Sequence, residues 1–427
     1  MMNVKVFKFG GASVNSAAGV RNVAGILEKY RGQSVMTVVS AMGKTTNALE
    51  SLLDDYIRQD AVSMVEKFYL LRDFHTDILH ELFADKEHRV FSELHELFED
   101  LRRFLQSPPS GSYDEIYDQV VPYGELFSCL IVHHHLEQAG LPVKMFDARQ
   151  LIVTDSSFRD AKTDWTKTQV RIQKQLFTWF QDVKGRMGIT HGFIASDAHG
   201  RMTTLGREGS DYTAAIIAYA LRTREVTIWK DVPGVLNADP KWFPDPVKLD
   251  NLSYLEAIEL AYYGASVIHP KTIKPLENAN IRLKVKSFLD PEGEGTTVQN
   301  LREWSVPCPI YIRKPNQVLI SVSPRDFSFI MEENLSQIFS ILSKHRVRAN
   351  VMQNSAISFS VCADHDPVRI GPLMKELRHL FSVRFNDGLE LFTIRHYNQE
   401  AIDRIAGQKK VLLEQKTRST VHLVLSV

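Results

Sequence analysis

Cysteine is scarce in this sequence. Cys129, Cys308 and Cys362 are too few and too scattered to frame a disulfide scaffold or a zinc site, and such scarcity fits a reducing compartment. Charge of one sign is not in excess either. The 51 Lys and Arg balance the 51 Asp and Glu, so no global field favours nucleic acid or an anionic membrane. Apolar runs long enough to span a bilayer are missing, and the opening segment up to Phe9 reads as a strand rather than a signal peptide. These absences predict a soluble, cytoplasmic protein without nucleic-acid or membrane partners. What is present is 427 residues, more than one hydrophobic core usually holds, so two or three domains are expected.

The pattern along the chain is mixed. Val4 to Phe9 is a strand running into Gly10-Gly11 and then a helical segment, and Ser34 to Ser40 is a second β-branched run. Further short apolar runs lie at Pro142 to Asp147, Gly188 to Ser196, Glu225 to Lys230 and Ile281 to Ser287. Strands alternating with helices favour parallel pairing in an α/β layer sandwich. Residues 50 to 140 instead show heptad-like apolar spacing, as in Phe74 to Phe83 and Phe91 to Phe104, and read as a helical insertion. The α/β pattern ends near the turn-rich stretch Asp290 to Gly295. Beyond it the expected order is strand (Gln317 to Val322), helix (Glu332 to Lys344), strand, strand, helix (Pro367 to Leu380), with a shorter echo from Leu389 onwards. That order suggests small α+β ferredoxin-like modules over about 310 to 427.

Several short segments could carry chemistry. Lys8 precedes Gly10-Gly11 at the carboxyl end of the first strand, where open α/β sheets bind ligands and where glycine lets backbone approach an anion. Alone, that Lys-x-Gly-Gly segment is a weak signal that a solvated Lys beside an ordinary turn explains more readily. Gly43-Lys44-Thr45 is half of a P-loop, but the required glycine at position 38 is Val38, so a Walker site is rejected. Gly206-Arg-Glu-Gly-Ser-Asp211 precedes a helix that Ser210 or Asp211 can cap, and Arg207 offers a planar fork for a carboxylate or phosphate. Trp229 to Pro240 follows a strand and is dense in turn formers, as loops lining nucleotide pockets often are. His133 to His135 are adjacent in a helical run, so they point in different directions and read as structural rather than metal-binding.

Taken in order, these segments resemble the aspartokinase branch of the amino acid kinase family. The resemblance rests on Lys8-Phe-Gly-Gly-Ala-Ser-Val14, Val39-Ser-Ala-Met-Gly-Lys-Thr-Thr-Asn47 and Tyr123-Gly-Glu-Leu126. It continues through Gly206 to Ala215, Asp231-Val-Pro-Gly234 with Asp239-Pro240, and Tyr263-Gly-Ala-Ser-Val-Ile-His-Pro270. It covers roughly residues 1 to 300. It implies a three-layer α/β/α sandwich with a mainly parallel sheet, followed by tandem regulatory modules of the ACT type, the second shortened. It also implies transfer of the γ-phosphoryl of ATP to the side-chain carboxylate of L-aspartate, with Mg²⁺ held through the ATP phosphates rather than by a protein metal site.

By the same resemblance, Lys8 neutralises charge on the transferring group and Asp211 works beside it. Arg207 clamps the α-carboxylate of aspartate, Glu125 and Asp211 hold its α-amino group, and Ser40, Thr46 and Ser210 supply hydrogen bonds. The nucleotide falls to Lys8, Gly10, Gly11, Ser13, Lys230, Asp231, Lys241, Gly264 and Ser266. Ser266 departs from the family, where Lys is common, and Lys271 or Lys241 is a candidate substitute. Glu208 replaces a common Gly, with its side chain expected in solvent. Met331, Leu335, Asn350, Asn354 and Ser355 correspond to an effector pocket for lysine or threonine, and pairing of the modules implies a homodimer. No fused dehydrogenase is expected within this length. Two other readings stay open: another kinase of the same fold, and a non-catalytic amino-acid sensor.

Overall fold

The computed structural model describes residues 2–181, 183–265, 268–301, 308–326 and 328–426. The chain forms two compact units. One comprises Met1–Val235, Lys248–Ile258 and Ser266–Glu303; the other comprises Leu236–Val247, Glu259–Ala265 and Trp304–Val427.

The first unit is built on an eight-stranded sheet. Its order is Val143–Phe146, Met187–His191, Ser34–Val39, Val4–Phe9, Glu225–Lys230, Arg282–Ser287, Thr296–Gln299 and Asn251–Ser253. All pairings are parallel except that of Arg282–Ser287 with Thr296–Gln299. The central strands are buried β-branched runs, as expected for parallel strands covered on both faces. The helix Gly209–Leu221 packs across three of them and is buried nearly all round, which its Ala- and Ile-rich sequence allows. Ser16 opens the helix Ala17–Glu28 by accepting from the Gly19 N–H at 3.2 Å.

Two features differ from the sequence reading. The run Gly188 to Ser196 is not one strand but two, Met187–His191 and Ile194–Asp197, because Phe193 adopts φ 68°. The sheet also continues past the turn at 290–295, through Thr296–Gln299.

Five helices, Thr45–Arg58, Ala61–Leu82, Arg89–Gln106, Tyr113–Val120 and Tyr123–Gln138, follow one another between the strands Ser34–Val39 and Val143–Phe146. Phe98 and Phe127 stack in their core at 4.0 Å, with His75 edge-on to both. Burial holds His75 neutral, its pKa down at about 4, while Nδ1 sits 2.8 Å from the Leu71 carbonyl.

The second unit carries a six-stranded antiparallel sheet in the order Ala349–Asn354, Phe359–Asp364, Ile310–Ser323, Ser382–Arg395, Thr420–Ser426 and Val411–Lys416. Helices Glu332–Lys344, Pro367–Leu380 and Gln399–Ala406 accompany it. The α+β order is the expected one, but the two modules share strands. Ile310–Ser323 and Ser382–Arg395 are each 14 residues long and cross both modules. The strand expected over Gln317 to Val322 therefore begins earlier, at Ile310, and Lys314-Pro-Asn316 is an irregularity inside it, with Asn316 at φ 53°. Among the described residues, no helix is long and apolar enough to cross a membrane.

Candidate active site

In-register parallel pairing fixes where the site lies. Phe9 pairs with Val39 on one side and Trp229 on the other, and Val39 pairs with His191. Four strands therefore end together, and Gly10-Gly11, Ser40, Gly192 and Lys230 leave the sheet at one edge. Such carboxyl edges are where open α/β sheets take ligands.

Close packing holds these turns. A Cβ on Gly11 would stand 2.7 Å from the Ala41 carbonyl, and one on Gly192 only 2.4 Å from Ser210 Cβ. Glycine at 192 thus lets the start of the Gly209–Leu221 helix rest against the strand end. The helix begins after Glu208 in the left-handed region at φ 54°, with the Asp211 N–H donating to the Glu208 carbonyl at 3.0 Å. A Glu208→Gly chain is expected to be about 1 kcal/mol more stable, since a left-handed non-glycine residue costs about that much. An upward shift of the urea midpoint at constant m-value checks this.

A cavity of about 560 Å³ opens above these turns. Lys8, Ser40, Thr46, Glu125, Arg207, Ser210, Asp211 and Lys230 all line it, so residues scattered over more than 200 positions meet in one place. Lys8 Nζ lies 2.7 Å from Asp211 Oδ1, with both side chains nearly buried. Glu125 is 3 % exposed. Its Oε1 accepts from the Ala41 N–H at 3.3 Å, and its Oε2 is buried with no hydrogen bond. Burial pushes the Glu125 carboxyl up to about 8, against the opposing pull of the Ala41 N–H and the Lys8 charge. Arg207, by contrast, is exposed and makes no hydrogen bond or ion pair among the described residues.

The remaining nucleotide candidates lie differently. Gly10, Gly11 and Ser13 build the turn rather than the wall, and Ser13 Oγ is buried without a partner. Asp231 is exposed beside Lys230 and is not part of the wall. Lys241 and Gly264 belong to the second unit, and Ser266 lies outside the described residues. Lys271 Nζ pairs with Asp160 next to Gly206, at the rim of the cavity.

Other wall residues were not legible in the motifs. Tyr117 donates to Glu50 Oε1 at 2.8 Å, and the Arg159 guanidinium lies 4.8 Å from the Tyr117 ring centre. Phe193 closes another side. Arg159 is set in place by Asp118, whose buried carboxylate accepts from the Arg159 N–H and from Thr204 N–H and Oγ1. Glu208 also departs from expectation. Its side chain is half-buried, lines the cavity and carries an Oε2 that is buried without a partner.

In the second unit, Asn350 accepts from Lys314 Nζ at 3.0 Å and donates to Gln317 Oε1 and Asp364 Oδ1. Leu335 packs on the module core, whereas Met331, Asn354 and Ser355 are exposed. Ser355 is turned onto Ser358, 2.7 Å between hydroxyls.

A tight glycine turn, a guanidinium without a partner and two buried carboxylates meet at one strand-end edge, an arrangement suited to a small charged ligand. The profile of the amino acid kinase family matches residues 3–287, and the chain belongs to that family. Over 402 residues it is 29% identical to the lysine-sensitive aspartokinase 3 of Escherichia coli, covering 92% of this chain and 87% of that one. It is 32% identical over 299 residues to a bifunctional aspartokinase/homoserine dehydrogenase of Zea mays, covering 69% of this chain but spanning only 32% of that relative's length. Among solved structures, E. coli aspartokinase III superposes with TM-score 0.83 in its complex with lysine and aspartate, at 26% identity over 100% of this chain and 96% of that one. Its complex with aspartate and ADP gives 0.81 at 26% identity, over 99% and 96% of the two chains. The three-layer kinase fold and the antiparallel second unit are shared with these structures.

Proposed function

We propose that this chain is an aspartokinase, transferring the γ-phosphoryl of ATP to the β-carboxylate of L-aspartate. The observation that carries this is the cavity in which Lys8 and Asp211 pair, the buried Glu125 keeps one oxygen without a hydrogen bond, and Arg207 stands ready for an anion. Arg207 takes the α-carboxylate as a fork. Glu125 and Asp211 receive the α-ammonium, which leaves the β-carboxylate facing Lys8. That carboxylate is already ionised near neutral pH, so no general base is needed. One of its oxygens bonds to the γ-phosphorus as the bond to the β,γ-bridging oxygen breaks, and the electron pair leaves with ADP. Lys8 stabilises charge on the transferring group, because phosphoryl transfer depends mainly on positioning and electrostatics.

Mg²⁺ fits this donor set. The unpartnered Glu208 carboxylate presents a hard oxygen to the cavity, suited to an ion carried mainly by phosphates and water. When bound, the ion offsets phosphate charge. Residues 1 to 300 act as the catalytic part and 310 to 427 as a regulatory part responsive to lysine or threonine in a homodimer. Support comes from the bacterial relative named as lysine-sensitive and its complex with lysine.

Calorimetry with ligand analogues tests the reading. Succinate lacks the ammonium and β-alanine lacks the α-carboxylate, so each loses a charged hydrogen-bonded contact of about 1.5–3 kcal/mol. Each is expected to bind roughly ten- to a hundredfold more weakly than L-aspartate. Equal affinity for all three would remove the assigned roles.

A further inference from the structure

Outside the cavity, the helical insertion holds a cluster that the kinase reaction does not use. We propose that His133, His134 and Glu137 form a binding site for a divalent transition-metal ion of the zinc class, backed by Glu93 as an outer carboxylate. The nitrogen and oxygen donors of the three residues all lie within 4.8 Å of one another. Glu137 Oε1 is 3.8 Å from His133 Nε2, and Glu137 Oε2 is 3.4 Å from His134 Nδ1. A tetrahedral ion with bonds of 2.0–2.1 Å holds its donors about 3.3 Å apart, so small side-chain rotations close the set.

The orientation of His134 is the second, independent sign. The ring is 2 % exposed, and its Nε2 lies 2.9 Å from Glu93 Oε2 on the neighbouring helix Arg89–Gln106. That bond places the ring proton on Nε2 and leaves the Nδ1 lone pair facing the Glu137 carboxylate with no hydrogen bond. A lone pair set 3.4 Å from a carboxylate oxygen is repulsive unless a proton or a metal ion stands between them. A carboxylate on the far nitrogen is also the usual support of a metal-bound imidazole. His133 Nδ1 is buried without a partner as well.

The other groups at the cluster are His88, edge-on to His134 at 5.5 Å, and Arg89, which donates to Glu137 Oε2 at 2.6 Å and approaches Glu93. Arg89 is 60 % exposed, so it can swing away and yield Glu137 to an ion. Two imidazoles and one carboxylate favour Zn²⁺ or Co²⁺ over Mg²⁺ or Ca²⁺. His135 does not join them; it packs on Phe83. Nine residues separate His134 from Glu125 on one helix, about 14 Å along its axis, so the ion would sit on that helix away from the cavity, steadied by Glu93 from the neighbouring helix.

Cobalt titration of the chelator-stripped full chain, without nucleotide or Mg²⁺, tests this. The expected result is one Co²⁺ per chain, with the strong visible d–d bands of a tetrahedral nitrogen–oxygen site, displaced by Zn²⁺. Glu137→Gln, at an exposed position and compatible with folding, should weaken uptake at least tenfold, as should His133→Ala. Arg89→Ala should tighten it, and Glu137→Gln should leave phosphoryl transfer unchanged. Cobalt uptake and spectra identical in the wild type and in Glu137→Gln would overturn the proposal, as would the absence of any tetrahedral spectrum in the wild type.

Discussion

Replacing Lys8 by Met should lower the turnover number by at least about 10²–10³-fold, the usual cost of deleting one preorganised charge-stabilising donor. The same change leaves Asp211 buried and unpaired, and breaking a buried pair from one side costs about 3–5 kcal/mol of stability. These two losses separate cleanly. In the double variant Lys8→Met with Asp211→Asn, most of the stability should return, because no buried charge is left without its partner. Turnover should not return. Urea unfolding and initial rates on the same preparations decide the matter, and a double variant that regains activity along with stability would show the pair to be structural.

The second large effect is a pH dependence of aspartate binding. With its pKa up at about 8, Glu125 is protonated in the free protein at neutral pH. An incoming ammonium requires the anion, so binding must expel a proton. The affinity for aspartate should therefore rise by up to about tenfold per pH unit from pH 6 towards 8, and then level off. Glu125→Gln should bind weakly and show no such slope. Stability runs the opposite way. A carboxyl whose folded pKa is raised contributes stability that is fully present below its ordinary value of 4.5 and is lost as pH rises through about 8. The free wild type should thus lose stability over that window relative to Glu125→Gln. A wild-type affinity that stays flat between pH 6 and 8 contradicts the assignment.

Much of the first unit was legible because parallel strands advertise themselves. Val4 to Phe9 and Glu225 to Lys230 are strands over the residues their β-branched runs suggested. Once these strands pair in register, Lys8 and Asp211 come together although 203 residues separate them. The wall residues Glu50, Tyr117 and Arg159 carried no comparable signal, since each is an ordinary helix or loop residue until tertiary packing sets it beside the cavity. Glu208 was misread because helix-start patterning does not show which way a left-handed residue aims its side chain. The histidine run was judged on adjacent residues alone. Glu137, one turn on in the same helix, was readable from its spacing, whereas Glu93 on another helix enters only through packing. In the second unit, the shared 14-residue strands were hidden by Pro315 and Asn316, which normally end a strand.

The measurement that bears most directly on the central claim is hydroxylamine trapping of the acyl phosphate formed with Mg·ATP from a panel of acids. The assigned roles predict trapped product from L-aspartate, and far less from L-glutamate, whose extra methylene moves its side-chain carboxylate relative to Lys8 while its α-groups engage Arg207 and Glu125. No product from L-aspartate, or equal product from L-glutamate, would contradict the account.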